Sequence, residues 1–99
     1  MNVKLKAEAK HDIANAARFY EQQQKGLGDY FVECLFDDLY RLEKHVGIHE
    51  KLFKLYRCLS KRFPYAIYYQ MENERVDIIA VLDSRQDPDA IQHRLEQSN

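Results

Sequence analysis

Five consecutive apolar residues, Ile78, Ile79, Ala80, Val81 and Leu82, constrain this chain more than any other feature. On an extended segment they place apolar side chains on both faces. A strand of that kind belongs in the middle of a sheet, not at an edge. Its partner is close by. "YAIYYQM", residues 65–71, is also strand-like, and "ENER" separates the two. Asn73 tolerates positive φ, so a tight hairpin is expected across residues 72–75. From Leu52 a further strand is expected: Phe53, Leu55, Arg57 and Leu59 on one face, Lys54, Tyr56, Cys58 and Ser60 on the other. Pro64 interrupts pairing because it has no N–H.

The N-terminal half has a different rhythm. "NVKLKAEA" alternates, with Val3, Leu5, Ala7 and Ala9 facing one way, and reads as a half-buried strand. "HDIANAARFYEQQQ" changes to helical spacing, with Ile13, Ala16, Ala17 and Tyr20 on one face and Asp12 placed to cap or favour the first turn. Gly26 is a left-handed stop. A second helix is expected from about residue 29 to about 45, its stripe being Phe31, Cys34, Leu35, Leu42 and Val46, with Gly47 ending it. Asp87 as cap, Pro88 at the first helical position and Asp89 in the first turn start a last helix that uses Ile91 and Leu95 as contacts. The order is β-α-α-β-β-β-α. This is an α+β fold in which a helical hairpin and a C-terminal helix pack on one face of a mostly antiparallel, four-stranded sheet.

Ninety-nine residues fit one domain, 1–99. With 45% hydrophobic and 31% charged residues the chain is too apolar for disorder and too charged for a membrane protein. No run nears the ~18 apolar residues of a membrane span, and "MNVKLKAEAK" lacks the apolar core of a signal peptide, so a cytoplasmic location is expected. Cys34 and Cys58 sit in apolar patterns and are expected to be buried free thiols. The formal net charge of -1 argues against life on phosphate backbones. The charge is uneven, however. Residues 51–75 hold six cations (Lys51, Lys54, Arg57, Lys61, Arg62, Arg75) and two acids (Glu72, Glu74), a local +4.

Candidate functional residues follow from that excess. Arg57, Lys61, Arg62 and Arg85 could stabilise a phosphate, and are the catalytic candidates should the chain be an enzyme. Each also has a plain structural role open to it. Arg57 can snorkel from the core, Lys61 and Arg62 can keep an edge soluble, and Arg85 can anchor Asp87 or the last helix. Tyr65 and Tyr69 share a strand face with Ile67 and Met71, and Tyr68 lies opposite. One face fills the core, and the other offers large contact area at low entropy cost. Tyr65, Tyr68, Tyr69, Arg57 and Arg85 are therefore the partner-binding candidates. His45 and His49 have helical metal-ligand spacing, but Gly47 between them should break the helix, so no metal and no cofactor is expected. His93 reads as a solvent-facing polar residue on the last helix.

The run from Arg57 through Lys61-Arg62-Phe63-Pro64-Tyr65-Ala66-Ile67-Tyr68-Tyr69, the apolar strand to Leu82, and Arg85-Gln86-Asp87-Pro88 resembles the RelE/ParE superfamily of bacterial type II toxin–antitoxin modules. "HDI", "AARFYE" and "GLGDYF" are similar to that family's helical hairpin, so the resemblance covers nearly the whole chain. It implies a cytoplasmic toxin of the plasmid-stabilisation type and a cognate antitoxin whose C-terminal segment masks it. Any oligomer would form through the antitoxin. The implied target is either DNA gyrase, as for ParE-like members with no known hydrolytic site, or mRNA in the ribosome, as for RelE-like nucleases. RelE-like members use a strongly basic cleft and a terminal tyrosine or histidine. This chain ends "RLEQSN" and has Asp83 where many relatives have histidine. A carboxylate there repels phosphate and is a poor base near neutrality. The expectation is a ParE-like toxin. The alternatives are a ribosome-dependent endonuclease, and a non-toxic binding module with the same fold.

Overall fold

The computed structural model describes residues 2–97. Its elements are β1 (Asn2–Leu5), α1 (Ala7–Gln23), α2 (Leu27–Lys44), β2 (Lys51–Leu52), β3 (Leu55–Leu59), β4 (Tyr65–Glu72), β5 (Arg75–Asp83) and α3 (Pro88–Gln97). The sheet order is β1-β5-β4-β3-β2. β5 lies inside the sheet as its sequence requires, parallel to β1 and antiparallel to β4. The α+β class therefore stands, but the sheet has five strands, not four. The extra strand arises because the segment from Leu52 folds back on itself. Phe53 and Lys54 both adopt positive φ, 53° and 70°, the pattern of a type I′ turn. Alternation alone hid this turn, since neither residue is glycine or asparagine.

The apolar run of β5 owes its continuity to two causes. Register slips where Tyr68 pairs with Ala80 and Tyr69 with Ile78, leaving Ile79 as a bulge. Ile79 and Ala80 thus fall on the same side of the sheet. Both faces are also covered. Ile67, Tyr69, Val76, Ile78 and Val81 pack against α1 and α2 through residues such as Ile13, Tyr20, Phe31 and Leu35. Ala66, Tyr68, Ile79, Ala80 and Leu82 pack with Leu55 against Ile91 and Leu95 of α3. The expectation of helices on one face alone is corrected here: the hairpin covers one face and α3 the other. Each large apolar side chain so buried contributes about 1.5–3 kcal/mol.

Two expectations near the N-terminus also change. The strand stops at Leu5, and Ala7 and Ala9 belong to α1, whose buried face is Ala9, Ile13, Ala16 and Tyr20. The alternating alanines satisfy either period, and helix propensity decides between them. Asp12 is consequently not a first-turn residue. α2 begins two residues earlier than expected, at Leu27. Glu21 of α1 serves its open end, accepting from the N–H groups of Gly26 and Gly28 at 3.0 Å. At the C-terminal end Asp87 caps α3 as expected, its Oδ1 accepting from Asp89 N–H at 2.9 Å.

Candidate functional site

β4 starts at Tyr65, directly after Phe63-Pro64, and this junction organises an aromatic cluster. Pro64 cannot donate, but its carbonyl accepts from Ser84 N–H at 2.8 Å, which fastens the turn to the end of β5. Phe63 then packs on Tyr20 (centroids 4.9 Å apart) and Phe31 (5.0 Å). Tyr65 packs on Phe31 at 5.2 Å. Burial pushes the Tyr65 hydroxyl up to about 12, reinforced by Tyr20 and Asp83 and only partly opposed by Arg85. Burial likewise raises Tyr20. Both phenols stay protonated near neutral pH and cannot act there as bases.

The other two tyrosines behave differently from expectation. Tyr68 and Tyr69 are 0% exposed, so neither is a contact residue; the partner-binding assignment is corrected for both. The reason is that both sheet faces are covered, whereas the expectation left one open. Tyr69 accepts from Gly47 N–H at 3.1 Å and meets His49 Nδ1 at 2.6 Å. The Tyr68 hydroxyl is buried without a hydrogen-bond partner among the described residues, and so is Nε of Arg57, which faces Tyr68 in the strand register.

The cations do not form one patch. Arg57 lies on the α3 side of the sheet, with Nη1 3.5 Å from Glu50. Lys61 and Arg62 lie in the β3–β4 connection against α2. There Asp38, itself buried, accepts from Ser60 Oγ at 2.5 Å and Lys61 N–H at 3.2 Å, and also pairs with Arg41. Arg62 donates to the Tyr30 hydroxyl at 2.7 Å. Arg75 sits at the far end of the β4–β5 hairpin, forked onto buried Asp77 at 2.9 and 3.2 Å. That end and Tyr65 lie at opposite ends of the eight-residue strand β4. Arg85 returns to the aromatic end, 66% exposed, and grips Asp83 through Nη2 at 2.8 Å and Nε at 3.1 Å. That grip holds the Asp83 carboxyl below its usual range. The structure therefore brings Arg62, Arg85 and Tyr65 to one end of the sheet and leaves Arg57 and Arg75 elsewhere.

Beside Tyr65 a cleft of about 400 Å³ opens between α1 and α3, lined by Phe19, Asp83, Gln86 and the pair Asp12–Arg94. Asp12 is the residue the sequence reading misassigned. Its carboxylate accepts from Val81 N–H at 2.9 Å and from both Arg94 Nη atoms at 2.9 and 2.8 Å, joining α1, β5 and α3. β1 pairs with β5 only as far as Ile78, so Val81 has no strand neighbour on that side and the carboxylate replaces one. An acid one position from the buried face of a helix was the available signal. Phe19, half exposed on the rim of this cleft, gave none.

α2 ends at Lys44, so His45 and His49 are not on one helix, and among the described residues no group of three or more His, Cys, Asp or Glu could hold a metal ion. Cys34 is buried, but Cys58 is only half-buried, its thiol raised by burial and Asp38. His93 is exposed on α3. No helix among the described residues is long and apolar enough to cross a membrane.

Compared with known proteins, residues 3–88 match the family described as ParE toxin of type II toxin-antitoxin system, parDE. The chain belongs to the ParE toxin family. The match spans everything from β1 to the first residue of α3, including the aromatic end of the sheet. No curated protein matches. Among solved structures, the chromosomal ParDE toxin–antitoxin system from P. aeruginosa superposes with a TM-score of 0.62 at 11% identity, covering 82% of this chain and 92% of that one. At that identity the likeness concerns the fold. The RelE/ParE resemblance thus resolves to the ParE branch, and the protein is a type II toxin with a ParE-type α+β scaffold.

Proposed function

We propose that this ParE-family toxin arrests growth by binding a protein target, DNA gyrase, and that a cognate antitoxin neutralises it. The observation that carries the reading is the state of the groups around Tyr65. Cleaving RNA through its 2′-hydroxyl needs a group that accepts a proton near neutral pH. Tyr65 holds its proton to about 12. Asp83 is a carboxylate locked by Arg85, depressed in basicity and repellent to phosphate. Arg85, Arg62 and Arg57 supply charge but no base. Exposed Arg85, Arg62 and half-buried Tyr65 are suited instead to gripping a protein surface, since arginine and tyrosine are enriched at the centres of interfaces.

A supercoiling assay tests this. Purified toxin titrated against gyrase and relaxed plasmid should abolish supercoiling, and addition of the antitoxin encoded alongside should restore it. Unchanged supercoiling at saturating toxin rejects the gyrase target. Expression without growth arrest would instead favour the non-toxic binding module.

A further inference from the structure

We propose that His49 is a proton-operated latch: in its neutral form it docks the α2–β2 connection, residues 45–50, onto Tyr69 of the sheet, and protonation releases it. The hydrogen-bond geometry around Tyr69 carries this. Tyr69 is wholly buried, and its hydroxyl oxygen accepts from Gly47 N–H at 3.1 Å. The hydroxyl proton has one partner, His49 Nδ1 at 2.6 Å. Every group in the cluster is satisfied when Nδ1 is the unprotonated acceptor and the ring proton sits on Nε2. An imidazolium would make Nδ1 a second donor onto the same oxygen and leave the buried hydroxyl proton without an acceptor. Tyr56 stacks on the Tyr69 ring at 5.1 Å, leaving the phenol little room to turn.

The surroundings add to the cost of a second proton. His49 lines a cavity of about 310 Å³ with Asp38 and Arg41 of α2, His45 of its own connection, Cys58 of β3 and Lys61 of the β3–β4 connection. Asp38 is the one carboxylate there, and it already binds Arg41, Ser60 and the Lys61 backbone. The adjacent Glu50 lies near Arg57. Burial, then His45, lowers the affinity of His49 for a proton. A base with a depressed folded pKa costs stability as pH falls below its unfolded value near 6.5, because the open form takes up the proton first. The latch therefore holds above that value and loosens below it. What it releases is the exposed Ile48 and the approach to the short edge strand β2. This does not depend on the identity of the toxin's target.

Amide exchange at Gly47, corrected for the intrinsic rate, tests the latch in the full chain. Protection should fall between pH 7.5 and 5.0, by up to about thirtyfold, the limit for a group whose open form titrates near 6.5. His45→Gln should keep that fall. His49→Gln, which offers a non-titrating acceptor, should abolish it. Imidazole ¹⁵N shifts of the unmodified protein give an independent reading: Nδ1 should be unprotonated at pH 7.5, and His49 should titrate below ordinary histidine. Constant protection across the range, a protonated Nδ1 at pH 7.5, or the same fall in His49→Gln would overturn the proposal.

Discussion

Replacing Asp12 should do more damage than replacing any other surface-accessible acid, because its carboxylate joins three elements. The side chain is 10% exposed and its partner Arg94 30% exposed. Removing one partner of a fully buried ion pair costs about 3–5 kcal/mol, and the partial exposure of Arg94 lowers that to roughly 1–2. Asp12→Ala also strips the acceptor from Val81 N–H, and an orphaned buried amide adds about 1–3 kcal/mol. The sum is roughly 2–5 kcal/mol, a large share of the ~5–15 kcal/mol that holds a domain together. Asp12→Asn can keep an acceptor for Val81 but loses the charge and one of the two acceptors for Arg94, so it should cost about half as much. For a chain of this size the alanine variant should melt ~10–25 °C lower. Urea unfolding followed by circular dichroism measures the difference directly. Alanine and asparagine variants both within about 1 kcal/mol of the unchanged protein would refute the reasoning, since that is the range of an ordinary surface substitution.

Other expectations follow from equally local geometry. Gly28→Ala puts a Cβ 2.5 Å from the Ala17 carbonyl where α1 and α2 cross, so it should destabilise by about 1–3 kcal/mol in the same unfolding assay despite alanine's better helix propensity. Tyr69→Phe leaves Gly47 N–H and His49 without their acceptor and donor and should cost about 1–3 kcal/mol, whereas Tyr68→Phe removes an unpartnered hydroxyl and should be neutral or stabilising. Asp77 responds to acid. Burial would raise its carboxyl, but Arg75, with Lys6 and Gln70, holds it below the usual range, so its stabilisation is present near neutrality and lost as pH falls through the carboxylate region. Asp77→Asn should accordingly flatten the acid limb of a stability-versus-pH curve.

Much of the fold could be read from the chain because several signals agreed. The two-faced apolar run put β5 inside the sheet, Asn73 marked its hairpin, and Asp87-Pro88-Asp89 started α3. What escaped had no local signature. The Phe53-Lys54 turn holds left-handed backbone at residues that rarely adopt it, and tertiary packing imposes it. The bulge at Ile79 is visible only as a pairing slip. The site was legible in kind and not in place. The sequence showed arginines and tyrosines in one segment, but strand direction carries Arg75 to the far end, pleating turns Arg57 to the α3 face, and the second covered face buries Tyr68. Asp12 and His49 take their meaning from contacts 69 and 20 residues distant, which no sequence window reports.

The account rests on a toxin that grips its target without cutting RNA. Primer extension on mRNA programmed into translating ribosomes, with purified toxin at saturation, tests that most directly. The message should remain full-length at every codon. Discrete cuts at the ribosomal A site, lost in Arg85→Ala, would contradict it.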